Sequence, residues 1–319
     1  MTNPPLVSFG IPVYNGAATI RQALDTLVAQ DYPNIEILIA DDGSSDGTVE
    51  ICQEYADRHS FIRLERNPRN LGNHYNFVNT LRKCGGKYYV WACQDDFWNP
   101  VFASKLTALL ENDPSLVLAM CEIQNIWDDT DEPFSVTSLH GADLPQSQSY
   151  YQNAASLMCK RRREPGKTGT VKNNLYIHGI IRREPLLQAV EAFKGDYPSE
   201  RQMLSQLALA RRMHFMNEIL FSKRVHRIRH LDVNPNHPIG VRMNRKFPHF
   251  QDWWELGRSI TASPVIPVQR KFYFPVLATD YLINVYLSHM IRSRLVWLID
   301  SLPAGIGASL RRLAGRPKA

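Results

Sequence analysis

Residues 35–48, Ile35-Glu36-Ile37-Leu38-Ile39-Ala40-Asp41-Asp42-Gly43-Ser44-Ser45-Asp46-Gly47-Thr48, decide how the first part of this chain is read. A short apolar run stops abruptly on two adjacent carboxylates and a Gly- and Ser-rich turn. This predicts a buried strand over Asn34–Ala40 that delivers acidic groups to a sheet edge. Upstream, Leu6–Val13 reads as a first buried strand ending at Pro12 and the turn-like Tyr14-Asn15-Gly16. Between the two, the spacing of Ile20, Ala23, Leu24, Leu27 and Val28 predicts one apolar helix face within Thr19–Gln30.

The alternation continues downstream. A helix through Tyr55, a brief strand at Ile62–Leu64 and a loop at Asn70-Leu71-Gly72-Asn73 lead into a helix over Tyr75–Cys84, which Gly85-Gly86 ends. Tyr88–Cys93 reads as a fourth strand stopping at Gln94-Asp95-Asp96-Phe97-Trp98, a helix follows to Asn112, and Leu116–Cys121 is a fifth strand. Strands alternating with helices over the first 125 residues predict an α/β fold with a mostly parallel sheet flanked by helices. Ligands of such sheets bind beyond the carboxyl ends of the strands. From 127 to 172 the pattern gives way to a polar stretch, and periodicity returns at Leu175–Ile181, Pro185–Phe193 and Gln202–Ala210. Helices are expected again around 268–290 and 291–301.

Composition bounds the function. The chain has 319 residues, 44% hydrophobic and 21% charged, which excludes general disorder. Its net charge of +6 favours anionic partners, with basic residues gathered at 160–163, 223–230 and from Arg292 onward. Five cysteines, Cys52, Cys84, Cys93, Cys121 and Cys159, include no C-x-x-C pair, so reduced thiols in a cytoplasmic protein are expected. No secretory signal or membrane span is expected, because Asp280, Asp300 and Pro303 interrupt the late apolar stretches. The basic residues carry no recognisable nucleic-acid motif, and nucleic acid is not an expected partner.

The chemistry lies in Asp41-Asp42 and Asp95-Asp96, two acidic pairs at equivalent strand ends. Four carboxylates on one edge repel unless a cation or a donor-rich ligand relieves them. A divalent metal (Mn2+ or Mg2+) holding a diphosphate answers this economically, since such metals use one or two protein carboxylates plus phosphate oxygens. Either pair alone would read as a polar turn or helix cap.

Four segments together resemble the inverting glycosyltransferases of family 2, with their A-type nucleotide-sugar fold. These are Val7–Asn15, Ile39–Thr48, Asn70-Leu71-Gly72 and Gln94–Pro100, in family order and spacing. The resemblance implies a Rossmann-like A-type fold with a helical C-terminal extension. It divides the chain into a nucleotide-sugar-binding part (1–125), an acceptor-binding and catalytic part (126–230) and a helical extension with a basic tail (231–319). It implies that Pro12, Tyr14 and Asn15 shape the nucleotide loop and that Asp42 accepts from a base N–H, while Asp41 either shares that task or supports the loop. Asp95 would bind ribose hydroxyls, and Asp96 the metal bridging the phosphates. The segment Tyr197–Leu204 resembles the one carrying the family's base, which makes Glu200 the expected catalytic base where Asp is commoner; Ser199-Glu200 would otherwise be a helix cap.

Asn174–Arg183 resembles the acceptor-side strand, so His178 is either a donor contact or a structural histidine. Val225–His230 is either a basic edge strand or a source of further ligands through His226 or His230. The basic C-terminus suggests peripheral contact with the inner face of a membrane, the alternative being a packed helix with a soluble tail.

The implied activity is metal-dependent transfer of a sugar from a nucleotide-diphosphate sugar, UDP-linked by preference, to a glycan or lipid-linked saccharide acceptor in cell-surface polysaccharide synthesis. The competing readings are a non-catalytic nucleotide-sugar scaffold and a transferase acting on a small-molecule natural product. A nucleotidyltransferase is disfavoured because residues 6–22 offer only Gly10, Gly16 and Arg21 for a phosphate loop.

Overall fold

The computed structural model describes residues 3–137, 175–192, 200–225 and 248–275. A nine-stranded sheet forms the centre. Its first four strands are β1 (Val7–Val13), β2 (Ile35–Asp41), β3 (Ile62–Arg66) and β4 (Tyr88–Trp91), and they lie parallel in the order β3-β2-β1-β4. The helices between them are α1 (Ile20–Val28), α2 (Thr48–Arg58) and α3 (Asn73–Lys83). All seven residues of β1 are buried, as a strand covered on both faces requires. The apolar spacing of α1 does its expected work: Ile20, Ala23, Leu24 and Leu27 all enter the core.

The remaining strands extend the sheet past β4. They are β5 (Phe97–Trp98), β6 (Leu116–Trp127), β7 (Pro133–Thr137), β8 (Ile180–Arg182) and β9 (Arg212–Val225), with α4 (Phe102–Asn112) leading into β6. β8 is antiparallel to both β4 and β6, β9 is parallel to β6, and β5 and β7 pair antiparallel with β9 and β6. Strands from residues before and after 125 thus share one sheet. α5 (Arg183–Glu191) and α6 (Glu200–Ala210) pack together, and α7 (Pro248–Ala262) and the single turn α8 (Val268–Lys271) represent the helical extension.

Three elements differ from expectation. β9 is a 14-residue strand where only its last residue, Val225, was read as strand-like. β6 runs six residues beyond Cys121, because Ile123 and the half-covered Glu122 and Gln124 continue the alternation. The helix expected from 268 is interrupted after Lys271 and resumes at Phe274, and α7 was not anticipated. Glycine at 257 lies inside α7 because a Cβ there would fall 2.4 Å from the Phe274 ring. The basic stretches at 160–163 and beyond 291, and His226 and His230, lie outside the described residues. Among the described residues no helix is long and apolar enough to cross a membrane.

Two local features aim the sheet edge. The Gly10 carbonyl accepts from Ala92 N–H (2.9 Å), so every second residue of β1 turns its backbone groups toward β4. Pro12 comes two residues later, beyond the last β1–β4 pair at Gly10 and Trp91, where its missing N–H costs no ladder bond. Gly10 itself admits no side chain, since a Cβ would meet the Tyr89 hydroxyl and the Thr80 Cβ at 2.1 and 2.9 Å.

Candidate active site

The sheet order reverses at β1, whose neighbours are β2 on one side and β4 on the other. A crevice beyond such strand ends is the expected ligand position. Asp41 closes β2, its carboxylate fully buried. It accepts from the N–H groups of Gly43 (3.1 Å) and Ser44 (3.1 Å) and pairs with Arg66 Nε at 3.4 Å. The turn it caps needs φ = +79° at residue 43, and a Cβ there would lie 2.9 Å from the Arg69 carbonyl carbon, so glycine is required.

Asp42, 2% exposed, points to the loop before α3. Its Oδ1 accepts from Asn67 Nδ2 and Leu71 N–H, and its Oδ2 from Gly72 N–H, each at 2.9 Å. With two bonds on Oδ1 and one on Oδ2, the acceptor capacity left to a ligand is at Oδ2.

The loop after β1 is stitched to the same turn. Asn15, in the left-handed region at φ = 49°, donates its N–H to Ser44 Oγ (2.9 Å) and accepts from Ser45 N–H (3.0 Å). Gly16 N–H donates to Thr48 Oγ1 at 2.8 Å. Tyr14 projects from this frame, 47% exposed, whereas Pro12 is buried. The Gln94 side chain lies against Gly16, which brings the loop after β4 beside the loop after β1.

Asp96 is the most buried acid of that second loop, at 0% exposure, while Asp95 is half-buried. Asp96 Oδ1 accepts from Arg224 N–H (3.0 Å); Oδ2 has no hydrogen bond and lies 3.6 Å from Lys223 Nζ. Burial raises the Asp96 pKa to about 6, with the Lys223 ammonium opposing the rise and Asp95 adding to it. His178 ends a 3₁₀ turn (Leu175–His178), stacks on Phe221 and lies 3.3 Å from Lys223 Nζ through Nε2. Burial and the same ammonium push its pKa down, which keeps the imidazole neutral.

Cys93, Asp96 and His178 present ligand atoms within 4.8 Å of one another. A buried carboxylate oxygen without a hydrogen bond, an imidazole and a thiol fit a divalent cation once Lys223, 27% exposed, turns toward solvent. Arg224 locks this corner by donating to Gln22 Oε1 (2.9 Å) and Asp131 Oδ1 and by lying over the Phe97 ring.

The fold therefore gathers Tyr14, Asn15, Asp41 and Asp42 in one cluster and Asp96 and His178 in an adjacent one. Glu200 is the first residue of α6, and its side chain lies outside the described residues. The sequence reading missed Cys93, Lys223 and Arg224. The signal available for the latter two was a basic pair one residue after apolar Leu220-Phe221, which β9 carries alongside β5 through the Trp98–Phe221 and Phe97–Ser222 pairs.

Residues 8–167, half of the chain, match the family described as Glycosyl transferase family 2. An uncharacterised glycosyltransferase of Rickettsia typhi is 39% identical over 99 residues, 31% of this chain and 30% of its own. A protein of Mycobacterium tuberculosis is 35% identical over 120 residues, 36% and 34% of the two chains. The chain thus spans about a third of the length of these curated relatives. Among solved structures, Staphylococcus aureus TarS 1-349 in complex with UDP-GlcNAc superposes with a TM-score of 0.54 at 15% identity, over 87% of this chain and 89% of that one. Mannosyltransferase PcManGT from Pyrobaculum calidifontis, in complex with GDP-Man and Mn2+, gives 0.53 at 17% identity, over 98% and 80%. At these identities the likeness is one of fold, and it agrees with the A-type architecture expected from the sequence.

Proposed function

The chain belongs to glycosyl transferase family 2, and from that premise we propose that it is an inverting transferase moving a sugar from a nucleoside-diphosphate sugar to an acceptor hydroxyl. The observation that carries this reading is the pairing of two acid-bearing loops at one topological switch point, with a fully buried carboxylate in one of them. Asp42 Oδ2 is the acceptor offered to a base N–H, Asp41 holds the loop, and Tyr14 and Asn15 border the nucleotide. Asp95, half-buried, is the group for the ribose hydroxyls. Asp96, with His178 beside it, would hold a divalent cation such as Mn2+ or Mg2+. When bound, that cation would neutralise the charge developing on the departing diphosphate.

Glu200, at the N-terminus of α6, is proposed as the base that takes the acceptor proton. Uridine is the first nucleotide to test, and a glycan or lipid-linked saccharide in surface-polysaccharide assembly on the cytoplasmic side of a membrane is the proposed setting. Glu200→Gln should lower kcat by about 100-fold or more, with little change in KM for the donor. Steady-state kinetics check this, and a Glu200→Gln enzyme with wild-type kcat would remove the base from the scheme. NMR of the product should show the anomeric configuration inverted relative to the donor; retention would contradict direct displacement.

A further inference from the structure

The β6–β7 hairpin carries an aromatic pair that the donor site does not use. Trp127, the last residue of β6, stacks on Phe134 with ring centroids 3.8 Å apart and planes 15° from parallel. The β6–β7 register shifts at this point: Pro133 faces Ile126, Ser135 faces Asn125, and Phe134 between them is the unpaired bulge residue. Bulges re-aim side chains, and this one brings the Phe134 ring onto Trp127. Phe134 nevertheless stays 41% exposed. Because stacking already fixes its rotamer, a ligand meeting the open part of the ring has little left to order.

The pair shares a sheet face with the Asp96 corner. In the β6–β9 ladder Asn125 stands opposite Lys223 and Trp127 opposite Val225, and side chains two positions apart lie on one face. Lys223 Nζ is 3.6 Å from Asp96 Oδ2, so Trp127 is one strand repeat, about 7 Å, further along. The hairpin is fastened to that corner as well: Arg224 donates to Asp131 Oδ1 in the turn, and Asp128 N–H donates to the Val225 carbonyl at 3.2 Å. Polar groups border the rings. Asn125 Nδ2 donates to Thr137 Oγ1 (2.8 Å) and Ser135 Oγ (3.1 Å), and Asp129 and Glu132 are exposed in the turn. A pyranose fits this chemistry, since one of its faces offers C–H groups to a π cloud while its hydroxyls need polar partners at the rim. The acidic turn disfavours an anionic surface such as a phospholipid bilayer.

We propose that Phe134, held in place by Trp127, is the platform on which a pyranose ring of the acceptor stacks, which makes these two residues determinants of acceptor specificity. The inference rests on the transferase reading above and deepens it by giving the acceptor a place and a chemical class.

The test labels the full chain with fluorotryptophan and follows the fluorine resonance of Trp127, assigned by its loss in Trp127→Phe. The probes are the methyl pyranosides of glucose, galactose, mannose and N-acetylglucosamine, with the acyclic polyol sorbitol as control. At least one pyranoside should move the resonance saturably, and sorbitol should not. Phe134→Ala should weaken binding of that pyranoside about tenfold, and Phe134→Tyr should keep it. A Trp127 resonance that no pyranoside moves, or an unchanged affinity in Phe134→Ala, overturns the platform. So does a wild-type dimer that Phe134→Ala dissociates in sedimentation with no pyranoside response, which would make the pair a contact between copies. A wild-type chain that binds a nucleoside diphosphate but no pyranoside sinks this inference and leaves the donor-site reading intact. One that binds neither sinks both.

Discussion

Asp96→Asn should lower transferase turnover about 1,000-fold and, at pH 8, make the protein more stable. Both effects follow from one carboxylate at 0% exposure whose second oxygen has no hydrogen bond. The folded-state pKa of about 6 stands above the ordinary aspartate value of 3.8, so between those values the native protein binds a proton that the unfolded chain does not. The contribution of Asp96 to stability is therefore most favourable below about pH 4 and declines as pH rises through 6. Above that the native state carries a buried charge at a cost of about 3 kcal/mol. Asparagine keeps the acceptor for Arg224 N–H, removes the charge, and ends the ion pair with Lys223. Thermal melts of the two proteins should differ by a few degrees at pH 8 and converge below about pH 4. A variant that keeps full turnover would detach Asp96 from the chemistry, and one with no pH-dependent gain would contradict the buried-charge account.

Asp42→Ala should be the most damaging substitution for the fold among the acidic pairs. It takes the acceptor from Leu71 N–H and one of two acceptors each from Gly72 N–H, which keeps Asn70 Oδ1, and from the Asn67 amide, which keeps Asn76 Oδ1. The donor left without a partner costs about 1–3 kcal/mol and the two weakened ones add less, so a loss of about 2–4 kcal/mol is expected. That is a large share of a typical domain's stability. The loop 67–72 would then release the β2 turn, to which Arg66 is tied through Asp41 and the Ser44 carbonyl. Urea unfolding should show the loss directly, and nucleotide binding should disappear with it. Asp42→Asn retains two of the three acceptor contacts and should be intermediate. A fully stable Asp42→Ala protein would mean that the loop holds itself without this carboxylate.

The parts of the molecule legible in the sequence are those where local pattern and tertiary role agree. β1, β2 and β4 are apolar runs ended by turn residues, and they are buried on both faces, so periodicity and burial tell the same story. β9 escaped notice because its 14 residues include Asn217 and Glu218 in an exposed stretch, across which its register with β6 shifts. α7 was hidden by a mid-helix glycine whose reason, close contact with Phe274, is tertiary. The acidic pairs were legible because strand ends place carboxylates predictably. Their partners were not: Asp96 accepts from the backbone N–H of Arg224, 128 positions away, and faces the Lys223 ammonium, and the β5–β9 pairing brings them together.

The central claim is that the loops after β1, β2 and β4 form one nucleoside-diphosphate site with Asp96 at its cationic corner. Calorimetric titration of UDP, GDP and dTDP, with and without Mn2+, tests it on the wild type and Asp96→Asn. The account predicts metal-dependent binding of one nucleotide, weakened at least tenfold in the variant. Equal binding with and without metal in both proteins would place the ligand away from Asp96. No binding of any nucleotide by a folded wild type would contradict the donor site itself.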